Sequence, residues 1–411
     1  MNFEYFIAKR IISAKEYKNS ISVPIIKIAI VSIAIGFITM LISIATGVGL
    51  QKKIHEKVSA FNGDIIISNY DTNFSNDSQN SITIHQDFYP DFKNVDGIKH
   101  MQVTASRGGI IRTQTDFEGI VVKGVGKDYD WHFFSEFLIE GRLPNYTDAL
   151  NEEIIISEYL VNRLNLKIGD KITTFFIGKD SSKPPRSRGF DIVGIYNSGF
   201  LDFDSTFVIA DIRHIQRLNK WKEDEVGSFE IFVEDFNDIE NIGNQVYEET
   251  SSLLDSQTIQ EKYYSIFKWL ELFDFNIILI IGIMILVAGI NMITALLVLI
   301  LERTQMIGIL KALGSSDKTV RKIFFYNAMY LIVKGLFWGN IIGIGLLMAQ
   351  KYFKLIKLDP NVYYVTEAPV YLDINYILLL NLGTFILCMV MLILPSFIIS
   401  KISPIKAMRF A

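Results

Sequence analysis

The sequence predicts an α-helical membrane protein with four transmembrane helices and a large mixed α/β extracytoplasmic domain inserted between helices 1 and 2. Three observations lead to this fold class. Four long stretches are almost free of charged residues, and the segment between the first two is polar and rich in strand patterns. Lysine and arginine are concentrated before the first stretch, between the second and third, and after the fourth.

The four apolar stretches are long enough to cross a membrane. A helix needs about 20 residues to span about 30 Å of hydrocarbon, and a helix buried in a soluble core is rarely so long and so free of charge. The first stretch has too long an apolar run for a cleaved signal peptide, so we interpret it as an uncleaved anchor. The predicted spans are residues 28–50, 273–301, 323–350 and 374–400.

Basic residues set the expected orientation of the chain. Lysine and arginine are concentrated in the leader 1–27, the loop 302–322 and the tail 401–411. The positive-inside rule therefore places both termini and the loop 302–322 in the cytoplasm. The large domain 51–272 and the short loop 351–373 are then expected on the other side of the membrane.

The segment 51–272 has the patterns of a mixed α/β domain with two subdomains. Short apolar or alternating runs separated by Gly, Pro, Asn and Asp predict its strands. These runs are Gly63–Ser68, Ile110–Thr113, Gly119–Lys123, Glu153–Ser157, Lys171–Ile177, Phe190–Ile195, Thr206–Ile209 and Ser228–Val233. Apolar spacing predicts helices at Ser157–Leu164, Asp211–Leu218 and Asn237–Leu254. Two more helices, Gln51–Phe61 and Gln257–Phe273, would join the spans, either as ordinary juxtamembrane segments or as a stalk that transmits movement.

Composition and motifs exclude several classes of function. The 411 residues carry a net charge of −4, which provides no general basic field for nucleic acid. The single cysteine cannot form an internal disulfide or a CxxC metal site, and the five histidines lack ligand spacing, so no metal site is predicted. Gly124–Lys127 (GVGK) lacks the Ser or Thr that completes a phosphate-binding loop, and we interpret it as a turn. We find no catalytic residues and predict that the chain is not an enzyme.

The loop 302–322 is the most informative part of the sequence. Met306, Ile309, Leu310 and Leu313 follow the spacing of one apolar helix face, and Gly314 stands where a left-handed C-cap belongs. Ser315 or Ser316 can cap the next helix, with Asp317 in its first turn. The pattern alone leaves three places open for this helix: the membrane surface, the packed spans, or a groove of another protein.

The same loop resembles a known family. The string LERTQMIGILKALGSS is similar to the signature after the second span of permeases in the FtsX/MacB/LolC-LolE superfamily. The leader FIAKRIISAK, the stretches GVGKDYDWHFFSEFLIEGRLPN, NEEIIISEYLVNRLNLKIGDKI and FDIVGIYNSGFLDFDSTFVIA, and the ending ISPIKAMRFA also resemble the family. The chain carries no fused nucleotide-binding domain, which favours the lipoprotein-releasing LolC/LolE branch over the MacB efflux pumps.

This resemblance implies a function. The chain would be the transmembrane permease subunit of an ATP-driven ABC transporter in the bacterial inner membrane, working by mechanotransmission with its large domain in the periplasm. It would release lipoproteins towards the outer membrane. The alternatives are MacB-like export of a small molecule or peptide, and FtsX-like regulation of a periplasmic cell-wall hydrolase.

The resemblance also implies partners. These are a separate ABC ATPase homodimer that binds ATP and Mg, a second permease chain, a lipoprotein substrate, a periplasmic lipoprotein carrier and membrane lipids. By match of motif, the helix that couples this chain to the ATPase contains Glu302, Arg303, Met306, Ile307, Gly308, Leu310, Lys311, Ala312, Leu313 and Gly314.

The predicted layout suggests two further sets of residues. The ends of the first two spans that lie away from the cytoplasm are expected to contact the acyl chains of a lipoprotein. By position these residues are Ile44, Val48, Leu270, Phe273 and Ile277. Gly335, Gly339 and Gly343 form a row of small residues on the third span, which predicts close helix packing either within one subunit or between two.

Overall fold

The computed structural model describes residues 3–13, 22–72, 79–147, 149–177 and 184–402. Most of the predicted tail 401–411, part of the leader 1–27 and part of two polar loops lie outside the described residues. The chain forms two compact units. We call Met1–Gln51, Leu270–Lys357 and Glu367–Ala411 the helical unit, and Lys52–Trp269 with Leu358–Thr366 the α/β unit.

Within the described residues, four helical segments are long and apolar enough to cross a membrane, and each predicted span lies within one of them. They are Pro24–Asn62, Tyr264–Glu302, Asp317–Phe353 and Ile374–Lys401. The helices of the chain are α1 (Phe3–Ser13), α2 (Ser22–Asn62), α3 (His132–Ser135), α4 (Glu158–Leu164), α5 (Leu201–Asp204), α6 (Ile212–Asn219), α7 (Ile239–Glu249), α8 (Ile259–Lys262), α9 (Tyr264–Glu302), α10 (Thr304–Ala312), α11 (Asp317–Phe353), α12 (Pro360–Tyr363), α13 (Ile374–Met391), α14 (Ile393–Ser396) and α15 (Ile398–Lys401).

Polar side chains within the predicted spans join the long helices of the helical unit. Asn291 of α9 donates from Nδ2 to Ser32 Oγ of α2 at 2.6 Å. Asn340 of α11 and Asn381 of α13 exchange two amide hydrogen bonds of 2.8 and 3.1 Å. Such bonds contribute on average about 0.6 kcal/mol each in a membrane, so they fix helix register more than they add stability. The same helices also pack through an apolar core around Phe37, Met292 and Phe324.

The α/β unit is built on one mixed sheet of ten strands, with a separate two-stranded sheet of β10 and β2. The order along the large sheet is β12-β1-β11-β3-β4-β9-β6-β8-β5, and β7 pairs with both β3 and β8. The strands are β1 (Ile65–Asn69), β2 (Ile82–Thr83), β3 (Ile98–Arg112), β4 (Phe117–Val125), β5 (Leu138–Gly141), β6 (Glu153–Ser157), β7 (Lys171–Phe176), β8 (Arg186–Tyr196), β9 (Phe207–Asp211), β10 (Glu225–Val226), β11 (Ser228–Val233) and β12 (Leu254–Thr258). The prediction of two subdomains is therefore wrong, because β3 pairs with β11, β4 and β7 and so makes the sheet continuous.

One predicted helix starts later than its apolar spacing suggested. The sequence predicts a helix over Gln257–Phe273, but residues up to Thr258 form the edge strand β12, which pairs with β1. Thr258 then caps α8 through a capping box with Glu261, and the helical conformation is interrupted at Tyr263 before α9 begins. A strand is favoured at this point because its backbone groups form hydrogen bonds with β1. A helix here would leave those backbone groups of β1 without partners.

Candidate coupling and transmission sites

The helix α10 follows α9 after a break at Arg303 and ends at Ala312. Gly314 has a φ of +93°, the left-handed conformation that its position predicts. Ser316 then caps α11, accepting a hydrogen bond from the backbone N–H of Thr319 at 3.3 Å. Gly314 and the Ser316 cap define the turn after α10, which is a separate short helix between α9 and α11.

The predicted apolar face of α10 divides into an inward part and an exposed part. Ile307 and Gly308 are buried, and Met306 and Leu310 pack beside Ala8 of α1 and Ile323 of α11. Ile309 and Leu313 point outwards, with 46% and 78% of their surface exposed. Glu302, Ala312 and Gly314 are also exposed, and Arg303 is half-buried. The four apolar residues therefore do not form one surface, since 100° per residue turns Leu310 towards the spans when Ile309 faces away.

Lys311 is held by contacts within the helical unit. Its Nζ donates to the backbone oxygens of Ile399 at 2.6 Å and Ile402 at 3.0 Å, and forms an ion pair with Asp317 at 2.9 Å. Only 9% of the side chain is exposed. The resemblance assigns Lys311 to the helix that couples to the ATPase, and the structure places its side chain at the carboxyl-terminal end of α15, where a cation stabilises free carbonyl groups.

The residues predicted to contact acyl chains lie on the packed side of α2 and α9. None of Ile44, Val48, Leu270, Phe273 and Ile277 is exposed, and Leu270 is buried. Ile277 packs against Gly47, and Gln51 donates to the Asp274 carboxylate at 2.8 Å. The prediction that these five residues touch lipid chains remains a prediction.

The glycine row of α11 packs against α2 of the same chain. A Cβ atom added to Gly335 would lie 2.7 Å from Ile33 Cβ, and one added to Gly339 would lie 3.1 Å from Phe37 Cβ. A Cβ at Gly343 would approach Leu41 Cδ2 to 3.0 Å. Of the two arrangements that the sequence leaves open for this row, the structure shows the one within a single subunit.

This packing leads to a prediction for the detergent-solubilised chain. Replacing Gly339 with leucine should lower the free energy of unfolding by about 1–3 kcal/mol, because the added side chain overpacks a close helix contact. Gly345→Leu is the matched control, since no atom lies within 4 Å of a Cβ at that position of α11. Unfolding in denaturing detergent, followed by circular dichroism, measures both variants. Equal losses in both would contradict the assigned contact.

A buried ion pair lies in the α/β unit, next to the end of α2. Lys123 of β4 donates from Nζ to Glu230 Oε1 of β11 and to the backbone oxygen of Phe61, both at 2.6 Å. Glu230 also accepts from Gln102 Nε2 at 2.9 Å and from Thr104 Oγ1 at 3.2 Å. The ammonium group therefore satisfies both a carboxylate and the carboxyl-terminal end of a helix, where positive charge is favoured.

The segment that leads into α9, formed by α8 and Tyr263, also contacts the end of α2. Lys262 Nζ and the Tyr263 hydroxyl both donate to Asn62 Oδ1, at 3.3 and 3.0 Å. A cavity of about 20 Å³ lies among Lys123, Glu230 and Lys262. We call these residues, with Phe61 and Asn62, the junction cluster, because they join the end of α2 to the helix that precedes α9. Sequence reasoning missed it, although a lysine and a glutamate in otherwise apolar strands were visible signals.

The junction cluster predicts an unusual pH dependence. Burial lowers the pKa of Lys262 from 10.5 to about 8, with the Lys123 cation adding to the fall and the Glu230 carboxylate opposing it. Between these pKa values the unfolded chain holds more protons, so stability rises with pH and is lost as the pH falls through about 8. Raising the pH from 8 to 9 should add about 1 kcal/mol to the free energy of unfolding of the α/β unit.

Thermal unfolding of the purified chain, followed by tryptophan fluorescence between pH 7.5 and 9, checks this effect. The window ends at pH 9 because burial raises the pKa of Tyr129 and Tyr196, which makes unfolding easier at higher pH. Lys262→Met should reduce the rise, because the buried Lys123, whose pKa is also lowered, still contributes to it. Lys222→Met, at an exposed lysine of the same unit, should keep the full rise. An undiminished rise in Lys262→Met would contradict the assignment.

Comparison with known proteins identifies the family. The MacB-like periplasmic core domain matches residues 28–248, and the FtsX-like permease C-terminal domain matches residues 278–404. The chain belongs to this permease family. It is therefore a membrane protein and an ABC transporter permease with a periplasmic-type α/β domain, as its sequence resemblance predicted. Among the described residues, no group of His, Cys, Asp or Glu is placed to hold a metal ion.

Individual relatives match this permease over different lengths. The lipoprotein-releasing system transmembrane protein LolC of Neisseria meningitidis is 22% identical over 100% of this chain and 99% of its own length. LolE of Haemophilus influenzae is 19% identical over 99% of both chains. The ABC transporter permease YtrF of Bacillus subtilis is 26% identical over 48% of this chain and 43% of its own. The solved periplasmic region of MacB from Actinobacillus actinomycetemcomitans covers 49% of this chain and 91% of its own, at 15% identity and a TM-score of 0.34.

Proposed function

We propose that this permease works with a separate ABC ATPase to release lipoproteins from the inner membrane towards the outer membrane by mechanotransmission. The full-length similarity to LolC and LolE supports the lipoprotein substrate. The exposed Ile309 and Leu313 on an otherwise anchored helix support the docking of a partner. Both termini and the loop 302–322 would lie in the cytoplasm, with the α/β unit in the periplasm.

The single observation that carries the mechanism is the two-sided character of α10. Its exposed end offers apolar side chains to a groove on the ATPase, which matches the way an amphipathic helix binds. Its inner side is fixed by Ile307, by Gly308 and by the hydrogen bonds of Lys311 to the end of α15. A push on the exposed side is therefore passed to the spans and is not absorbed by a flexible loop.

ATP and Mg would be bound by a homodimer of the ATPase, and a second permease chain, identical or related, would complete the transporter. The lipoprotein would pass to a periplasmic carrier. The five residues between α2 and α9 would meet its acyl chains when the two helices part, since Ile44, Val48, Phe273 and Ile277 are half-buried in the present arrangement.

Depletion of the permease in its own cells tests the proposal. Lipoproteins labelled with radioactive palmitate should accumulate in the inner membrane, as shown by separating the two membranes on a density gradient. A strain that expresses the chain from a second copy is the control and should sort its lipoproteins normally. Normal sorting after depletion would contradict the proposal. If it came with increased drug sensitivity, it would favour MacB-like export.

A further inference from the structure

The loop between α11 and α13 supplies a residue to the α/β unit. Leu358–Thr366 belongs to that unit, and Tyr364 is its central contact. The ring of Tyr364 stacks on Phe200 with centroids 4.5 Å apart and planes 16° from parallel, and meets Trp269 edge-on at 5.8 Å. Its backbone oxygen accepts a hydrogen bond from Lys57 Nζ at 3.0 Å. These four residues form what we call the tyrosine latch.

The receiving side of the latch has a fixed shape. Phe200 is fully buried, and the turn before it is held by the carboxylate of Asp204. Asp204 accepts from the Ser198 hydroxyl at 2.7 Å, and from the backbone N–H groups of Ser198 and Gly199 at 3.1 Å each. Gly199 has a φ of +66°, and a Cβ there would lie 3.0 Å from Lys57 Nζ. The turn therefore favours glycine for its backbone angle.

The loop that carries the tyrosine is also constrained. Tyr364 has a φ of +58°, which is uncommon for a bulky side chain and persists only where the surroundings determine it. Leu358 and Thr366 close the loop through a backbone hydrogen bond of 3.0 Å, and Val365 is buried. The ring contacts, the lysine hydrogen bond and the closed loop together hold a conformation that the residue would otherwise avoid.

We propose that Tyr364 is a positioning residue that makes the α/β unit move with all four spans. Lys57 lies on α2, which continues from span 1, and Trp269 lies on α9, which leads into span 2. Tyr364 lies in the chain that joins spans 3 and 4. One side chain thus ties together the three segments that enter the α/β unit from the spans. The inference rests on the proposed function, because it supplies the connection through which mechanotransmission would reach this unit.

Three variants of the complete complex with its ATPase, in lipid nanodiscs, test the latch. Tyr364→Gly removes the ring while its backbone tolerates a positive φ, so the fold should survive. Tyr364→Phe keeps both ring contacts, and Tyr363→Ala changes an exposed neighbour. Hydrogen exchange of residues 358–366 measures the latch itself. The amount of synthetic triacylated lipopeptide transferred to a soluble acceptor, per ATP hydrolysed, measures its role.

Tyr364→Gly should raise hydrogen exchange in residues 358–366 by at least about tenfold. It should lower lipopeptide transfer per ATP by at least about fivefold and leave ATPase co-purification intact. Tyr364→Phe and Tyr363→Ala should match the wild type in both measurements. Unchanged exchange, or unchanged transfer per ATP despite faster exchange, would overturn the latch. If Tyr364→Gly fails to accumulate, Lys57→Met, which removes the hydrogen bond to the loop, decides by the same two criteria.

Failure of the proposed function gives a different pattern. A wild-type complex that binds no ATPase or transfers no lipopeptide would reject the proposed function, whatever the variants do. In that case the exchange measurement alone decides whether Tyr364 holds the loop. A wild-type complex that works while Tyr364→Gly also works normally rejects the latch alone.

Discussion

Replacing Leu313 with aspartate should abolish co-purification of the ATPase with this permease. Leu313 is 78% exposed, so the change leaves the packing of α10 intact. In the complex, however, an aspartate would bring a charge into an apolar groove without a partner, and the leucine contact would be lost. We expect a loss of at least about 2 kcal/mol of binding free energy, or about 30-fold in affinity. Ile309→Asp should act in the same direction.

The measurement is affinity purification of the tagged permease, followed by quantification of the bound ATPase by mass spectrometry. Leu355→Asp is the matched control, because Leu355 is similarly exposed, at 69%, but lies in the loop after α11. Leu310→Asp is a poor test, since Leu310 packs beside Ala8 and Ile323 and the change would disturb the fold itself. Full retention of the ATPase by Leu313→Asp and Ile309→Asp would reject α10 as the docking helix.

Replacing Glu230 with glutamine should destabilise the α/β unit strongly. The change leaves Lys123 buried without a counter-charge, and breaking a buried ion pair from one side costs about 3–5 kcal/mol. Burial also lowers the pKa of Lys123, while Glu230 opposes that fall. Lys123 in the Glu230→Gln variant would therefore lose its proton more readily. The double variant Lys123→Met with Glu230→Gln should recover much of the loss, because no buried charge then remains unpaired.

Thermal and denaturant unfolding of the purified chain, followed by tryptophan fluorescence, measures the stability of the single and double variants. Glu152→Gln is the control, since Glu152 pairs with Lys171 on the exposed surface of the same unit. It should unfold as the wild type does, because exposed pairs contribute little. If the double variant were as unstable as Glu230→Gln alone, the ion pair would not be the cause of the loss.

The sequence predicts the spans and much of the sheet because these elements depend on local patterns. Freedom from charge over 20 or more residues identifies a membrane helix whatever it packs against. Glu153–Ser157 and Ser228–Val233 have the predicted bounds, because apolar β-branched residues end at turn-forming neighbours. The start of β3 at Ile98 was missed, since its polar residues His100, Gln102 and Thr104 mask the strand pattern.

The sites depend on contacts between distant residues, which periodicity does not reveal. The junction cluster brings Lys123 of β4 to Glu230 of β11, with β3 between them in the sheet. Spacing identified α10 but could not tell which side faces the spans, so Leu310 and Ile309 were assigned to one surface. The latch was missed because Tyr364 looks like an ordinary loop residue until Phe200 and Trp269 are placed beside it.

Photo-cross-linking from Leu313 in living cells tests the central claim most directly. A photoreactive amino acid at this position of the tagged permease should capture a separate chain that carries the nucleotide-binding motifs of an ABC ATPase, identified by mass spectrometry. The same probe at Leu355 should not capture it. Capture of that ATPase from Leu313 alone is the result we predict. Absence of the ATPase among the Leu313 adducts, in cells that express it, would contradict the claim that this helix couples the permease to ATP hydrolysis.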